Sequence, residues 1–346
     1  MSSLTPLLGM SLDELTKVAL SGGMPKFVGK QLADWLYKKK VVSFDRMLNI
    51  SKKNREWLSS SYVIGREAPA ERIKSSDGTV KFIFDIGNKD RIESVYIPDK
   101  ERATLCVSSQ KGCRMNCYFC ATGKGGFRGN LTAAQIINQI LSISPEEEPG
   151  FVKESLSNVV FMGMGEPLDN MDALLKVLDI MTADWGLGWS PKRITVSTVG
   201  KLPQLKDLIE KTDVNIAVSL HTPDFEDRSN LMPAQRAFPI ASVISLLKGY
   251  DFSHQRRLSF EYIMWRGVND DMKHAEALVK LIKDLDCRVN IIRYHKIPGV
   301  NLNPASEERM LMFRNFLNSK GIIATVRASR GEDIMAACGM LGGKCN

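Results

Sequence analysis

The sequence predicts an α/β protein built on a partial (β/α)6 barrel, with a small helical unit ahead of it and a β-hairpin between the two. From about residue 102 onward, short β-rich runs recur: Thr104-Leu-Cys-Val-Ser, Asn158-Val-Val-Phe-Met, Arg193-Ile-Thr-Val-Ser-Thr, Val214-Asn-Ile-Ala-Val-Ser, Leu258-Ser-Phe-Glu-Tyr-Ile and Arg288-Val-Asn-Ile-Ile. Helical periodicity fills the gaps, from Ala133 to Ile143, Asp172 to Met181, Leu202 to Ile209, Ala241 to Leu247, Asp271 to Asp284 and Glu307 to Leu317. Such units in series imply a parallel sheet with right-handed crossovers, curled into part of a barrel, with a doubly wound open sheet as the alternative. The residues with chemical potential fall at the carboxyl ends of these runs, where a (β/α) barrel gathers its site.

Three segments follow from this pattern. Residues 1–75 read as a small helical unit: Ser11-Leu-Asp-Glu14 is a capping box, and the stretch from Gly29 through Trp35 to Lys38 has helical spacing. Lys38-Lys-Lys40 and Lys52-Lys53 make this unit basic, either as an RNA-facing surface or as a solvated helix face, with Trp35 expected in its core. Residues 76–101 should form a hairpin, from Val80 to Ile86 and from Ile92 to Ile97 around the turn Gly87-Asn-Lys-Asp. Residues 102–346 are the barrel and its C-terminal loop.

Composition narrows the class. The chain has 346 residues, of which 44% are apolar and 25% charged, which leaves no room for a collagenous, disordered or disulfide-framework protein. No apolar run approaches a membrane span, and the start Met-Ser-Ser-Leu-Thr-Pro lacks a signal-peptide pattern. A cytoplasmic protein with reduced thiols is expected. Lys and Arg number 47 against 39 Asp and Glu, a net charge of +8 that favours a polyanionic partner such as nucleic acid.

Cys113, Cys117 and Cys120 stand in a Cys-x3-Cys-x2-Cys run. A structural zinc ion wants four protein ligands and a [4Fe–4S] cluster is normally held by four cysteines, so three close cysteines imply a cluster with one iron open. Zinc completed by a distant His, or buried cysteines lying close by chance, are the other readings. The natural ligand of an open iron is S-adenosylmethionine, which chelates through its amino and carboxylate groups. Gly163-Met164-Gly165-Glu166 after the second run suits the methionine ammonium, since a glycine turn lets backbone approach closely and Glu166 adds charge. Ser197 ends the third run and Ser219-Leu220-His221 the fourth, both suited to hydroxyl or carboxylate contacts; His295 follows the sixth.

The run Cys113-x3-Cys117-x-Phe119-Cys120 resembles the signature of the radical S-adenosylmethionine superfamily. More narrowly, Ala103-Thr-Leu-Cys106-Val-Ser-Ser-Gln110, Met162-Gly-Met-Gly-Glu166-Pro-Leu, Val218-Ser-Leu-His221 and Asp333-Ile-Met-Ala-Ala-Cys338-Gly resemble the RlmN/Cfr family of RNA adenine methyltransferases, over a stretch from the N-terminal segment to Gly343. The resemblance implies a radical-SAM barrel and methylation of carbon 2 of an adenosine in 23S rRNA, at the peptidyl transferase centre, and of the adenosine 3′ to the anticodon in some tRNAs. It implies one [4Fe–4S] cluster on Cys113, Cys117 and Cys120, two S-adenosylmethionine molecules per turnover, and an electron donor such as flavodoxin or ferredoxin. Phe119, Gly165, Glu166, Ser197, Ser219, Leu220, His221 and His295 are its cofactor contacts, although the family commonly has Asn where His295 stands.

By the same resemblance Cys338 carries the methyl group, Glu93 takes the ring proton, and Cys106 attacks the Cys338 sulfur to release product as a disulfide forms. Cys106 and Cys338 must then come within disulfide range, with Cα atoms under about 7 Å, during turnover. Methylation at carbon 8 would use the same residues, and so remains open. A zinc-stabilised RNA-binding protein without catalysis and a radical enzyme acting on a protein or small molecule are the competing classes. Cys287 is expected in the core, Cys345 without a role, His254 and His274 on the surface, and the chain as a monomer.

Overall fold

The computed structural model describes residues 4–142, 156–254 and 256–342. Ile143, Gly343 and Cys345 fall outside them. The N-terminal unit contains helices α1 (Leu12–Ser21), α2 (Val28–Ala33) and α3 (Lys52–Ser61). The expected capping box is formed at α1, where Ser11 and Glu14 each accept the other's backbone N–H. Gly29 lets α2 lie against α1, since a Cβ there would come within 2.6 Å of Thr16 Cα. The short strands β1 (Thr5–Pro6) and β2 (Tyr62–Val63) pair in parallel and bring the two ends of the unit together. Trp35 is half-buried rather than core, and Lys39 Nζ sits 3.7 Å above its ring.

Strands β3 (Glu71–Lys74), β4 (Val80–Asp85), β5 (Arg91–Asp99) and β6 (Arg102–Cys106) form an antiparallel run. After the separate hairpin β7 (Gln110–Gly112) and β8 (Phe127–Asn130), the strands β9 (Asn158–Phe161), β10 (Ile194–Thr198), β11 (Asn215–Ser219), β12 (Leu258–Met264), β13 (Cys287–Arg293) and β14 (Ile323–Val326) follow. Among the described residues these make one ten-stranded sheet, ordered β14-β13-β12-β11-β10-β9-β6-β5-β4-β3 and parallel from β6 to β14. The sheet does not close; β3 and β14 are its edges.

Helices α4 (Ala121–Lys124), α5 (Ala133–Leu141), α6 (Met171–Thr182), α7 (Leu202–Lys211), α8 (Phe225–Leu231), α9 (Ile240–Leu247), α10 (Met272–Ile282) and α11 (Glu307–Ser319) lie between the strands. Their apolar stripes, such as Leu205, Leu208 and Ile209 on α7, are buried. Strand residues Ile216, Val218, Phe260 and Tyr262 are fully buried, as a parallel sheet covered by helices requires. No helix among the described residues is long and apolar enough to cross a membrane.

Three features depart from the sequence expectation. The expected hairpin is built into the main sheet: β5 pairs directly with β6, placing Val95 opposite Cys106, with Glu93 two residues before Val95 on β5. A seventh parallel strand, β14, extends the six expected ones. The pair β7 and β8 brackets the cysteine run, in strands too short to show alternation.

Candidate active site

The three-cysteine run lies between β7 and α4. Its backbone is tied on three sides: Cys113 N donates to Gly126 O at 3.1 Å, Tyr118 N to Leu231 O at 2.8 Å, and Ala121 N to Gly339 O at 2.7 Å. Cys113, Cys117 and Cys120 all line one cavity of about 150 Å³ at the carboxyl ends of the strands. Burial pushes the Cys113 thiol up to about 12, and burial and the neighbouring cysteines push Cys117 well above its ordinary value. Thiols so crowded ionise only when a metal compensates the charge, and three sulfur donors around one cavity are chemically suited to an iron–sulfur cluster.

The glycine turn after β9 forms the cavity's second wall. Gly165 has φ +105, and a Cβ there would lie 2.5 Å from the Gln110 side chain. The turn is latched onto the segment after β6, since Met164 N donates to Ser108 Oγ at 2.9 Å and Ser109 N donates to Met164 O at 2.9 Å. Glu166 is buried, and its carboxylate accepts Val199 N at 2.9 Å and Leu168 N at 3.1 Å. Its first task is therefore to join the loops after β9 and β10, while its rim lines the cavity. Burial outweighs these donors and moves its pKa up to about 7.

Ser197, Ser219, His221 and Phe119 line the same cavity. His221 adopts a left-handed backbone, φ 61, and its Nδ1 accepts Ile263 N–H at 3.1 Å, so its Nε2 carries the proton when the ring is neutral. Burial, with the Arg228 charge, lowers its pKa to about 3 and keeps it neutral. Phe119 packs edge-on against His221 with centroids 5.0 Å apart. The Leu220 side chain is fully buried and absent from the lining; its carbonyl accepts Arg228 Nε at 3.1 Å.

A larger cavity of about 360 Å³ adjoins the first, and Cys106 and Cys338 both line it. Cys338, Cys120, Gly163 and Glu261 belong to both cavities, so Cys338 stands at their junction. Burial pushes the Cys106 thiol far up, with the Cys338 sulfur adding to the effect. Cys338 is open to the cavity; crowding by protein and the nearby Glu261 raise its thiol to about 11, acting on a group that water still reaches.

Glu93 lines neither cavity. Its Oε2 accepts Gly342 N at 3.2 Å, near the end of the loop that carries Cys338, and burial raises its pKa against the pull of Lys81. His295 lines the larger cavity rather than the cysteine-lined one, with Nδ1 3.1 Å from Glu332 Oε1. Cys287 is buried at the start of β13 and takes no part, and His254 is exposed.

Sequence reasoning missed a polar ladder and a buried cation. Ser219, Glu261, Asn290 and Thr325 are in register across β11 to β14, and Glu261 Oε1 accepts Asn290 Nδ2 at 2.7 Å and Ser259 Oγ at 3.1 Å. A carboxylate inside the apolar run Leu258-Ser-Phe-Glu-Tyr-Ile was the available signal, because buried charge there needs a reason. Arg228 is fully buried; it donates to Ser219 O at 2.8 Å, Val199 O and Leu220 O at 3.1 Å, and Gln235 Oε1, locking together the loops after β10 and β11.

Residues 107–282 match the model of the radical SAM superfamily, and residues 5–64 match that of the ribosomal RNA large subunit methyltransferase N-terminal domain. The chain is 56% identical over 341 residues to a probable dual-specificity RNA methyltransferase RlmN of Bacteroides thetaiotaomicron, covering 99% of this chain and 97% of the relative. It is 40% identical over 344 residues to the dual-specificity RNA methyltransferase RlmN of Alcanivorax borkumensis, covering 98% and 90%. A crystal structure of a radical SAM methyltransferase from Sphaerobacter thermophilus superimposes with a TM-score of 0.91 at 36% identity, over 98% of this chain and all of that one.

Proposed function

Because the chain belongs to the RlmN family of radical S-adenosylmethionine RNA methyltransferases, we propose that it methylates carbon 2 of adenosine in both 23S rRNA and tRNA. Cys113, Cys117 and Cys120 hold its [4Fe–4S] cluster, and the cavity they share with Gly165, Glu166, Ser197, Ser219 and His221 holds S-adenosylmethionine. When bound, these groups supply the methyl carbon and a hydrogen-abstracting radical.

The observation that carries this reading is the position of Cys338, on the wall between the cysteine-lined cavity and the one that contains Cys106. A sulfur there takes its methyl group from one side and presents it to a base on the other. Cys106, as its thiolate, then attacks the Cys338 sulfur; the sulfur–carbon bond breaks as the disulfide forms, its electron pair stays with the product carbon, and that carbon takes up a proton to become the methyl group. Before that attack, as the adduct gives up one electron, for which the cluster would be the acceptor, Glu93 takes the proton from carbon 2; its raised pKa makes it a stronger base than an ordinary carboxylate, and it must first give up Gly342 N–H. His221 offers a fixed Nε2–H donor to the cofactor.

Residues 1–75 dock the RNA, residues 76–101 bring Glu93 to the barrel, and residues 102–346 carry out the chemistry. The protein acts as a cytoplasmic monomer reduced by a flavodoxin- or ferredoxin-like donor. Reconstitution with iron, sulfide, S-adenosylmethionine and a reductant, followed by mass spectrometry of nucleosides from unmodified rRNA and tRNA, tests the reading. 2-Methyladenosine is expected in both; 8-methyladenosine would overturn the regiochemistry, and a colourless zinc protein without methylation would overturn the enzyme.

A further inference from the structure

Three arginines reach the larger cavity from separate elements: Arg293 ends β13, Arg327 follows β14, and Arg330 lies in the loop leading to Cys338. None of the three lines the cavity of the cluster cysteines. Their bases are fixed. Arg327 N donates to Ile291 O at 2.8 Å, and Gly331 N, next to Arg330, donates to Asp77 Oδ2 at 2.9 Å.

Their guanidinium groups make no close ion pair. Arg293 lies 3.7 Å from Glu307, whose side chain is 72% exposed, and Arg330 lies 4.0 Å from Asp99, which is 70% exposed. Ion pairs so long, to carboxylates in water, contribute little. Among the described residues no carboxylate oxygen stands within ion-pair distance of Arg327, which is exposed; at longer range its charge acts on the buried Glu261 and on Cys338 across the cavity. Arg228 shows what a structural guanidinium looks like in this fold: it is fully buried with its donors filled. The cavity arginines have the opposite character, with anchored backbones and forks open to an incoming anion.

We propose that Arg293, Arg327 and Arg330 form a phosphate clamp that grips the RNA backbone beside the target adenosine while its base enters the cavity toward Cys338. This rests on the reading of the chain as an RNA methyltransferase. A base taken out of its stack must be held by its own strand, and a planar guanidinium matches a phosphate with paired, charge-assisted hydrogen bonds. The clamp thus accounts for cations at the one cavity where base and thiols meet. The carboxylate of S-adenosylmethionine is the competing anion, and the absence of these arginines from the cysteine-lined cavity argues against it.

The test is binding of a fluorescein-labelled stem-loop RNA with an unpaired adenosine in its loop, by anisotropy across a salt series, to the full chain and to Arg293→Gln, Arg327→Gln and Arg330→Gln. Each substitution should weaken binding and flatten the slope of log affinity against log salt by about 0.7, the value for one single-strand phosphate contact. Arg→Lys at the same positions should restore the slope but not the full affinity, because the charge returns without the fork. Thermal melting and S-adenosylmethionine binding by equilibrium dialysis should not change. Where the wild-type protein binds RNA, unchanged slopes in the variants would overturn the clamp alone, as would their loss of S-adenosylmethionine binding with RNA binding intact, or a lowered melting temperature, which would make the arginines structural. A wild-type protein that binds no RNA would overturn both the clamp and the function beneath it.

Discussion

Asp333 holds Ser75. Its carboxylate accepts the Ser75 hydroxyl at 2.6 Å and Ser76 N at 3.1 Å, tying the segment that delivers Cys338 to the turn between β3 and β4. Asp77 answers from that turn by accepting Gly331 N at 2.9 Å. The hydroxyl and amide donors hold the Asp333 carboxyl below its ordinary value. Asp333→Ala should therefore loosen the loop: amide exchange at residues 331–342 and maleimide labelling of Cys338 should both quicken, while Cys106 stays protected. Unchanged exchange and labelling would mean that the tie does not control the loop.

Cys338→Ala should abolish methyl transfer, because the carrier sulfur is gone. Cys106→Ala should instead leave RNA covalently attached to Cys338, since the other cysteine lining the shared cavity, Cys120, is committed to the cluster and cannot break the link. Denaturing gels of the two variants after reaction separate these outcomes. Normal product from either variant would overturn the assigned roles.

What could be read from the chain and what could not divide along a physical line. The three-cysteine run, the turn Gly163 to Glu166 and the segment Ser219 to His221 are contiguous, so their chemistry was visible in the sequence. Glu261, Asn290 and Thr325 acquire meaning only through the register of three strands, and Arg228 only through the four acceptors that converge on it. Cys106 and Glu93 read as ordinary strand residues until a resemblance gave them roles. The edge strand β3 is Glu71-Arg72-Ile73-Lys74, too polar and short to announce itself, and β14 is equally brief.

Gly165→Ala should damage the cofactor cavity more than its small size suggests. The position has φ +105, and the added methyl would lie 2.5 Å from the Gln110 side chain, whose Oε1 accepts Glu166 N at 2.8 Å. Backbone strain of this kind costs about 1–3 kcal/mol. The variant should melt earlier and bind S-adenosylmethionine more weakly by calorimetry; wild-type affinity and melting would show that the turn adapts.

His274 gives the protein a stability that depends on pH. Its Nδ1 lies 2.8 Å from Asp271 Oδ1 and its Nε2 3.3 Å from Asp227 Oδ2, so the ring joins α10 to α8. It is therefore no free surface histidine. Burial disfavours the charged ring, but the two carboxylates outweigh it and raise the pKa above 6.5. The folded state then binds more protons than the unfolded chain between the two pKa values. The contribution is full below the unfolded value and is lost as pH rises through the folded one. A partly exposed ion pair limits it to about 1 kcal/mol or less. The consequence reaches the site, because α8 carries Arg228 and the Leu231 carbonyl that accepts Tyr118 N from the cysteine loop. Urea unfolding from about pH 6 to pH 9 should show wild type losing stability relative to His274→Gln, whose glutamine does not titrate in that window. Parallel curves for the two proteins would show that the ring is not charged in the fold.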